Sequence, residues 1–515
     1  MNRGGRQIAK AATLVMSLFI LSRTLGLFRQ IVTGAMFGTS SNLDAYMTAS
    51  RIPEMIFLIV AGGALGSALI PTFSSYTARG DTGGAWRLTS AVINLVLITL
   101  TIIAALVGLF APALVRTVLA PGYSAEQQLV TVQLLRVLLI SSVIFGASGV
   151  IMAALNAEQH FLLPALAPSL YNTAIILGAV LLGSRIGVMG LAVGVVVGSA
   201  LHLLIQIPGL RRRNARYTFT LGLRDPAVRQ VARLMAPRVL GTAIAQLNFV
   251  INNSLASHLG QGAVSAINFA WMIMLLPQGI FAQAVGTAAF PTFADQVAHG
   301  QIDAMRNTLA GTLRTVFFLS IPASVGLIVL NRPLVAILFE RGAFAASSTT
   351  AVAGAVALFA LGLIGHSGLE IIARAFYALH NTLTPVWVGG IAVALNIALS
   401  LVLPGIFAQA GWPAHYGLAL ANSIATLVEM ALLILLIRRK MGGIAGREIG
   451  LSFTKAGAAA LIMGGILIVW QVLLPGTRPI ILSAGGVALG AVVYLSAAVV
   501  LKSKEPRQVL SMIRR

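Results

Sequence analysis

Cysteine is absent from this 515-residue chain, and charge is scarce, with 9% of residues Asp, Glu, Lys or Arg. The first absence excludes disulfides, a thiol nucleophile and any cysteine metal site. The second excludes a soluble globular surface, which needs far more charge to stay wetted. Acids are the rarer sign, 13 Asp and Glu against 35 Lys and Arg. No GxxxxGK[ST] loop, HExxH, metal-ligand cluster or GxSxG elbow occurs. The expectation is a protein that is not an enzyme and holds no cofactor or metal.

What is there is apolar, 58% hydrophobic with a mean hydropathy of +0.92. Stretches of about 20 apolar residues can cross a hydrocarbon core of roughly 30 Å, and they recur along the whole chain. The fold class predicted is an all-α polytopic membrane protein of about fourteen transmembrane helices. These cover roughly 8–37, 43–76, 87–114, 129–156, 164–184, 186–208, 229–257, 263–296, 305–330, 348–378, 383–403, 413–438, 450–474 and 479–502. The basic amino terminus leads into a long apolar run without a small-residue cleavage site, so it reads as a retained first helix.

The net charge of +22 is distributed unevenly. Alternating the loops from a cytoplasmic amino terminus leaves about 23 Lys and Arg on the cytoplasmic side. About 5 fall outside, namely Arg116, Arg185, Arg332, Arg341 and Arg478. The richest clusters are Arg211, Arg212, Arg213 and Arg216, then Arg438, Arg439 and Lys440, then the tail 502–515. This bias places both termini in the cytoplasm. The clusters hold topology and touch anionic lipid, and nucleic acid is not an expected partner.

The chain also repeats itself with a period of about 220 residues: GSALIPTFSSYTARGD at 66–81 aligns without a gap to GTAAFPTFADQVAHGQ at 286–301. Pro164 and Pro385 close a second matched pair of segments. Two parallel six-helix repeats follow, a lobe at 1–208 and a lobe at 229–438, joined by a basic cytoplasmic linker at 209–228. Two extra helices and a basic tail occupy 439–515. Gly190, Gly194 and Gly198 make a small-residue ridge, as do Gly486 and Gly490, and tight static packing is the plainer use of both.

Charge buried in lipid is costly, so intramembrane ionisable residues are functional candidates. The arginines inside the predicted spans are Arg23, Arg29, Arg51, Arg136, Arg238, Arg314 and Arg374. Surplus positive charge suits an anionic substrate, above all a phosphate or diphosphate, which arginine grips bidentately. Arg23 and Arg29 lie six residues apart, about 120° around one helix, and could share a broad cavity. Asp44, Thr48 and Arg51 share a face, with Glu54 a turn beyond; Arg51 reads equally as an ion pair or a substrate contact. His366, Glu370 and Arg374 repeat at i+4 spacing, in the order that favours a helical salt bridge. Coupling-ion or proton binding is their alternative use. Glu429 has no evident cationic partner. Asn248, Asn252 and Asn253 could line a polar lumen or bond between helices.

Five segments, taken in order, resemble the MurJ/MviN family of the multidrug/oligosaccharidyl-lipid/polysaccharide flippase superfamily. They are SRTLGLFRQ at 22–30, LDAYMTASRIPE at 43–54, LNAEQHFLLPALAPSLYN at 155–172, the stretch 235–270 and ARAFYALHNTLTP at 373–385. The resemblance implies a flippase that carries lipid II, the undecaprenyl-diphosphate-linked peptidoglycan precursor, from the inner to the outer leaflet of the bacterial cytoplasmic membrane. It implies alternating access through a cationic central cavity, a groove for the lipid tail by the last two helices, and cell-wall synthesis enzymes as partners. Arg23, Arg29 and Asp44 match its motif residues and become substrate-binding candidates, with Arg51 added on its position. Two further arginines common in the family are replaced by apolar residues at 55–58 and 271–276. Either other cations are recruited or the substrate differs. The alternatives are a flippase for another undecaprenyl-diphosphate oligosaccharide, a cation-coupled drug exporter, and a membrane scaffold. Energy would come from the membrane potential or a coupling ion.

Overall fold

The computed structural model describes residues 3–61 and 64–506, with side chains described except at 3–14, 59–61, 64, 237–238 and 240–245. Every regular element among the described residues is a helix. The principal helices, in chain order, are α1 (Arg3–Phe37), α2 (Ser41–Ala61), α3 (Ala64–Ala78), α4 (Thr82–Leu109), α5 (Ala125–Ala157), α6 (Leu162–Leu177), α7 (Met189–Leu204) and α8 (Pro226–Ser257). The second half has α9 (Ala263–Gln278), α10 (Ala284–Ala298), α11 (Ile302–Val329), α12 (Ala346–Ala378), α13 (Leu383–Gln409), α14 (His415–Lys440), α15 (Gly446–Leu473) and α16 (Gly486–Val500).

Twelve helical stretches among the described residues are long and apolar enough to cross a membrane. The fourteen predicted include two more, 43–76 and 229–257, and both run through residues whose side chains lie outside the described ones. Asp44, Arg51 and Glu54 interrupt the first. Arg229, Arg233, Asn248, Asn252 and Asn253 interrupt the second.

The chain forms two compact units. One holds residues up to Ser265 together with Arg341–Phe344, and the other the remainder. The packing boundary therefore lies beyond the 208 and 229 limits set by the internal repeat, because α8 packs on α2, α3 and α4. Val228 and Val231 of α8 join a core of Leu65, Leu69 and Leu88. In the first unit α7 lies hard against α6: a Cβ at Gly190 would come within 2.8 Å of the Gly178 carbonyl oxygen, and one at Gly194 within 2.9 Å of that of Ala174. The glycine ridge is a packing surface. The short segment Arg341–Phe344 docks in the same unit, where the Ala343 N–H donates to the Ala35 carbonyl at 2.7 Å.

In the second unit α12 and α13 pack on α14, and α11 packs on α12 and α15. Phe293, Phe317, Phe318 and Phe376 fill the core, and Met463, Leu467, Tyr494 and Ala498 of the last two helices join it. The end of the described chain is fastened there too. Arg314 of α11 donates to the buried Glu505 carboxylate at 2.8 and 2.6 Å and to Glu448 at 3.1 Å, while Ser452 and Ser503 complete the Glu505 shell.

Candidate functional site

Partner accounting sorts the intramembrane arginines. Arg314 is spent on Glu505 and Glu448. Arg136 donates to the Gly108 carbonyl near the end of α4, at 3.0 Å. Arg374 pairs with Glu370 at 2.5 Å. Arg51 reaches Glu54 only at 3.8 Å, and Glu54 is more than half exposed. The Arg238 side chain lies outside the described residues. Among those described, Arg23 and Arg29 have no carboxylate at ion-pair distance. The exposed Arg23 guanidinium lies 5.6 Å from the Phe19 ring centroid, an attraction of modest worth. Arg29 is half-buried and acts electrostatically on Tyr46 and Tyr171. Arg23 and Arg29 are thus two intramembrane cations on one helix that no described acid neutralises.

Asp44 is held by backbone donors. It is fully buried, and its two oxygens accept the N–H groups of Gly262 and Ser265, each at 2.7 Å, all within the first unit. That is a helix cap supplied from a distant part of the chain, satisfying donors at the start of α9 that have no partner in their own helix. Each Asp44 oxygen is engaged in this cap. One turn on, Thr48 bonds the Tyr123 hydroxyl at 2.8 Å and accepts from Asn253 at 3.1 Å; Asn253 also donates to the Leu119 carbonyl at 3.0 Å. Of the three asparagines in α8, Asn253 therefore ties helices together, and Asn252 bonds Asn248 along its own helix. Neither Tyr123 nor the Gly262 to Ser265 turn carried a signal in the sequence, because the contacts join residues 75 and more than 200 positions apart.

In the second unit, His366, Glu370 and Arg374 of α12 all line one cavity of about 470 Å³, which Gln278 of α9 also borders. Arg374 donates to both the carboxylate and the carbonyl oxygen of Glu370, and more distantly to Thr287 at 3.4 Å. His366 is turned toward α14, with its Nε2 at 3.1 Å from the Asn422 side-chain Oδ1 and 3.3 Å from the Thr426 hydroxyl. The stripe thus splits into an ion pair and an imidazole fixed by neutral groups. Glu429 is half-buried, has no ion-pair partner among the described residues, and lies where a Cβ at Gly389 would be 3.4 Å away. No group of three potential metal ligands occurs among the described residues.

Aromatic contacts lie at the two stretches where the family's arginines are missing. Phe57 meets Phe145 at 4.6 Å between ring centroids, and Trp271 meets Phe359 and His366 at 5.4 and 5.3 Å.

Comparison with known proteins gives one consistent result. The family model described as lipid II flippase MurJ matches residues 33–481. A lipid II flippase MurJ of Burkholderia cenocepacia is 31% identical over 471 residues, covering 89% of both chains. A probable lipid II flippase MurJ of Vibrio cholerae is 27% identical over 83% of this chain and 82% of its own. A solved lipid II flippase MurJ in an inward closed conformation superposes with a TM-score of 0.80 at 26% identity, covering 95% of this chain and 98% of that one. A multidrug resistance transporter of the MATE family, in an inward-facing conformation, matches with a TM-score of 0.67 at 16% identity over 84% of this chain and 98% of that one, a likeness of fold alone. The chain belongs to the lipid II flippase MurJ family.

Proposed function

We propose that this protein flips lipid II from the inner to the outer leaflet of the bacterial cytoplasmic membrane, by alternating access through a cationic cavity. The observation that carries the reading is the pair Arg23 and Arg29, intramembrane cations without an acid at ion-pair distance among the described residues. An unmatched guanidinium in a membrane is costly, and a diphosphate supplies the missing charge and geometry. Arg51, on the same helix as Asp44 and 3.8 Å from Glu54, is the third phosphate contact. Asp44 acts at one remove, by fixing the Gly262 to Ser265 turn. Both termini lie in the cytoplasm, as the charge bias requires. The membrane potential or a coupling ion drives the cycle, and Glu429 is the acid to test for ion binding. Cell-wall synthesis enzymes are the expected partners.

A flippase for another undecaprenyl-diphosphate oligosaccharide is the second reading, favoured by the aromatic packing near 55–58 and 271–276. Complementation separates the two. In a strain depleted of its own lipid II flippase, the wild-type chain restores growth. The Arg23→Ala/Arg29→Ala double variant, at matched membrane level, does not. Each truncation removes a charge-assisted bond worth about 1.5–3 kcal/mol, or roughly 10- to 100-fold in binding. Full rescue by the double variant would sink the phosphate-clamp model. A well-inserted wild type that never rescues would point to the second reading.

A further inference from the structure

The cavity in the second unit sets an acid, Glu370, beside the cation Arg374, with the His366 imidazole also on its wall, unlike the region of Arg23 and Arg29. We propose that it binds the zwitterionic end of an amino acid or peptide carried on the lipid-linked substrate, an inference that rests on the function proposed above. At about 470 Å³ the cavity falls within the size range of small-molecule sites. Glu370 and Arg374 are each about a quarter exposed, so both charges remain reachable while paired. A diphosphate there would face the Glu370 carboxylate, and a simple cation would face the Arg374 guanidinium. A group bearing an ammonium and a carboxylate a few bonds apart satisfies both at once.

Two independent features mark the cavity as a binding site as well as the seat of an ion pair. Gln278 is more than nine-tenths buried, and its side-chain carbonyl oxygen has no hydrogen-bond partner. A buried acceptor left unpaired is unfavourable, and a ligand N–H would satisfy it. Immediately after it the helix changes to a π-helical turn over Gly279–Gln283, behind Pro277, and such turns concentrate at functional sites. The second feature is the seat of the guanidinium. A Cβ at Gly286 would come within 2.4 Å of Arg374 Nη1, so the absence of a side chain there holds room for the arginine beside its carboxylate. Phe290 and Tyr377 supply apolar walls for the stem of the bound group.

The test uses the full chain in nanodiscs and three lipids, lipid II itself, lipid II with its free amine acetylated, and the same diphosphate-linked disaccharide without peptide. Wild type is expected to bind lipid II about tenfold more tightly than the other two, the difference of roughly one charged contact. Glu370→Gln and Gln278→Leu lose that preference and keep the common affinity, whereas the Arg23→Ala/Arg29→Ala variant loses all three lipids about equally. Gln278→Leu leaves the ion pair in place, so it reports on binding even if the Glu370 variant fails to fold. Equal wild-type affinity for the three lipids overturns this inference and leaves the flippase reading standing. A Gln278→Leu variant that keeps the tenfold preference overturns it as well. Failure of wild type to bind any of the three overturns the flippase reading, and this inference with it.

Discussion

Asp44 and Arg51 stand two turns apart on one helix and meet opposite fates. The carboxylate is sealed between two backbone N–H groups, while the guanidinium lies 3.8 Å from the half-exposed Glu54. A cap and a ligand contact respond differently to substitution. Asp44→Ala strands two buried donors and is expected to destabilise the protein by about 1–3 kcal/mol. Thermal unfolding of the detergent-solubilised variant checks this, with diphosphate-lipid affinity per folded molecule unchanged. A normal melting temperature with lost affinity would return Asp44 to the substrate. For Arg51 the readout is binding, since Arg51→Ala should weaken diphosphate-lipid affinity per folded molecule.

Among the elements, the two glycine ridges read alike in sequence but differ in space. Gly194 has the backbone of α6 where its side chain would be, at 2.9 Å, whereas Gly490 meets only the side chains of Leu467 and Met463 at 3.4 Å. Gly194→Ala must push two helices apart and should cost about 1–3 kcal/mol, while Gly490→Ala should be nearly neutral. Parallel thermal melts decide it, and equal shifts would refute the distinction. Helices, spans and the repeat were legible because each is written in a local period or a matched segment. So was the surplus of intramembrane arginine. Their partners were not legible, because a helical pattern gives the faces of a helix and not the helix opposite. His366 lies in register with Glu370, yet it bonds Asn422 and Thr426 some 60 residues on. Asp44 likewise matched a family motif while its cap partners were invisible. The helices α2 and α8 hold many of the polar contacts described in the first unit.

At the scale of the whole molecule, the Arg314 to Glu505 clamp fastens residue 505 to a helix 191 residues earlier. Glu505 lies past the last span. Burial alone would raise its pKa, but the bonds from Ser503, Arg314 and Ser452 outweigh that and hold it down to about 2. With a folded value below the ordinary carboxylate value of 4.5, its stabilisation is complete above that pH. It is lost as the pH falls through about 2. The clamp should therefore protect the region near Ser503 from limited proteolysis equally at neutral pH and at about pH 5, where its carboxylate stays ionised. Glu505→Gln is expected to be cleaved at both. Cleavage of wild type already at about pH 5 would contradict the depressed value.

The docking of Arg341–Phe344 has a consequence for how the protein is made. The Ala35 carbonyl receives its partner from Ala343, and Phe344 is almost wholly buried, so the first unit cannot be completed when the ribosome passes Ser265. At about 5–20 residues per second, several more seconds of synthesis separate Ser265 from Phe344. Throughout that interval the nascent first unit is an unfinished body in the membrane, with its last piece still to be made.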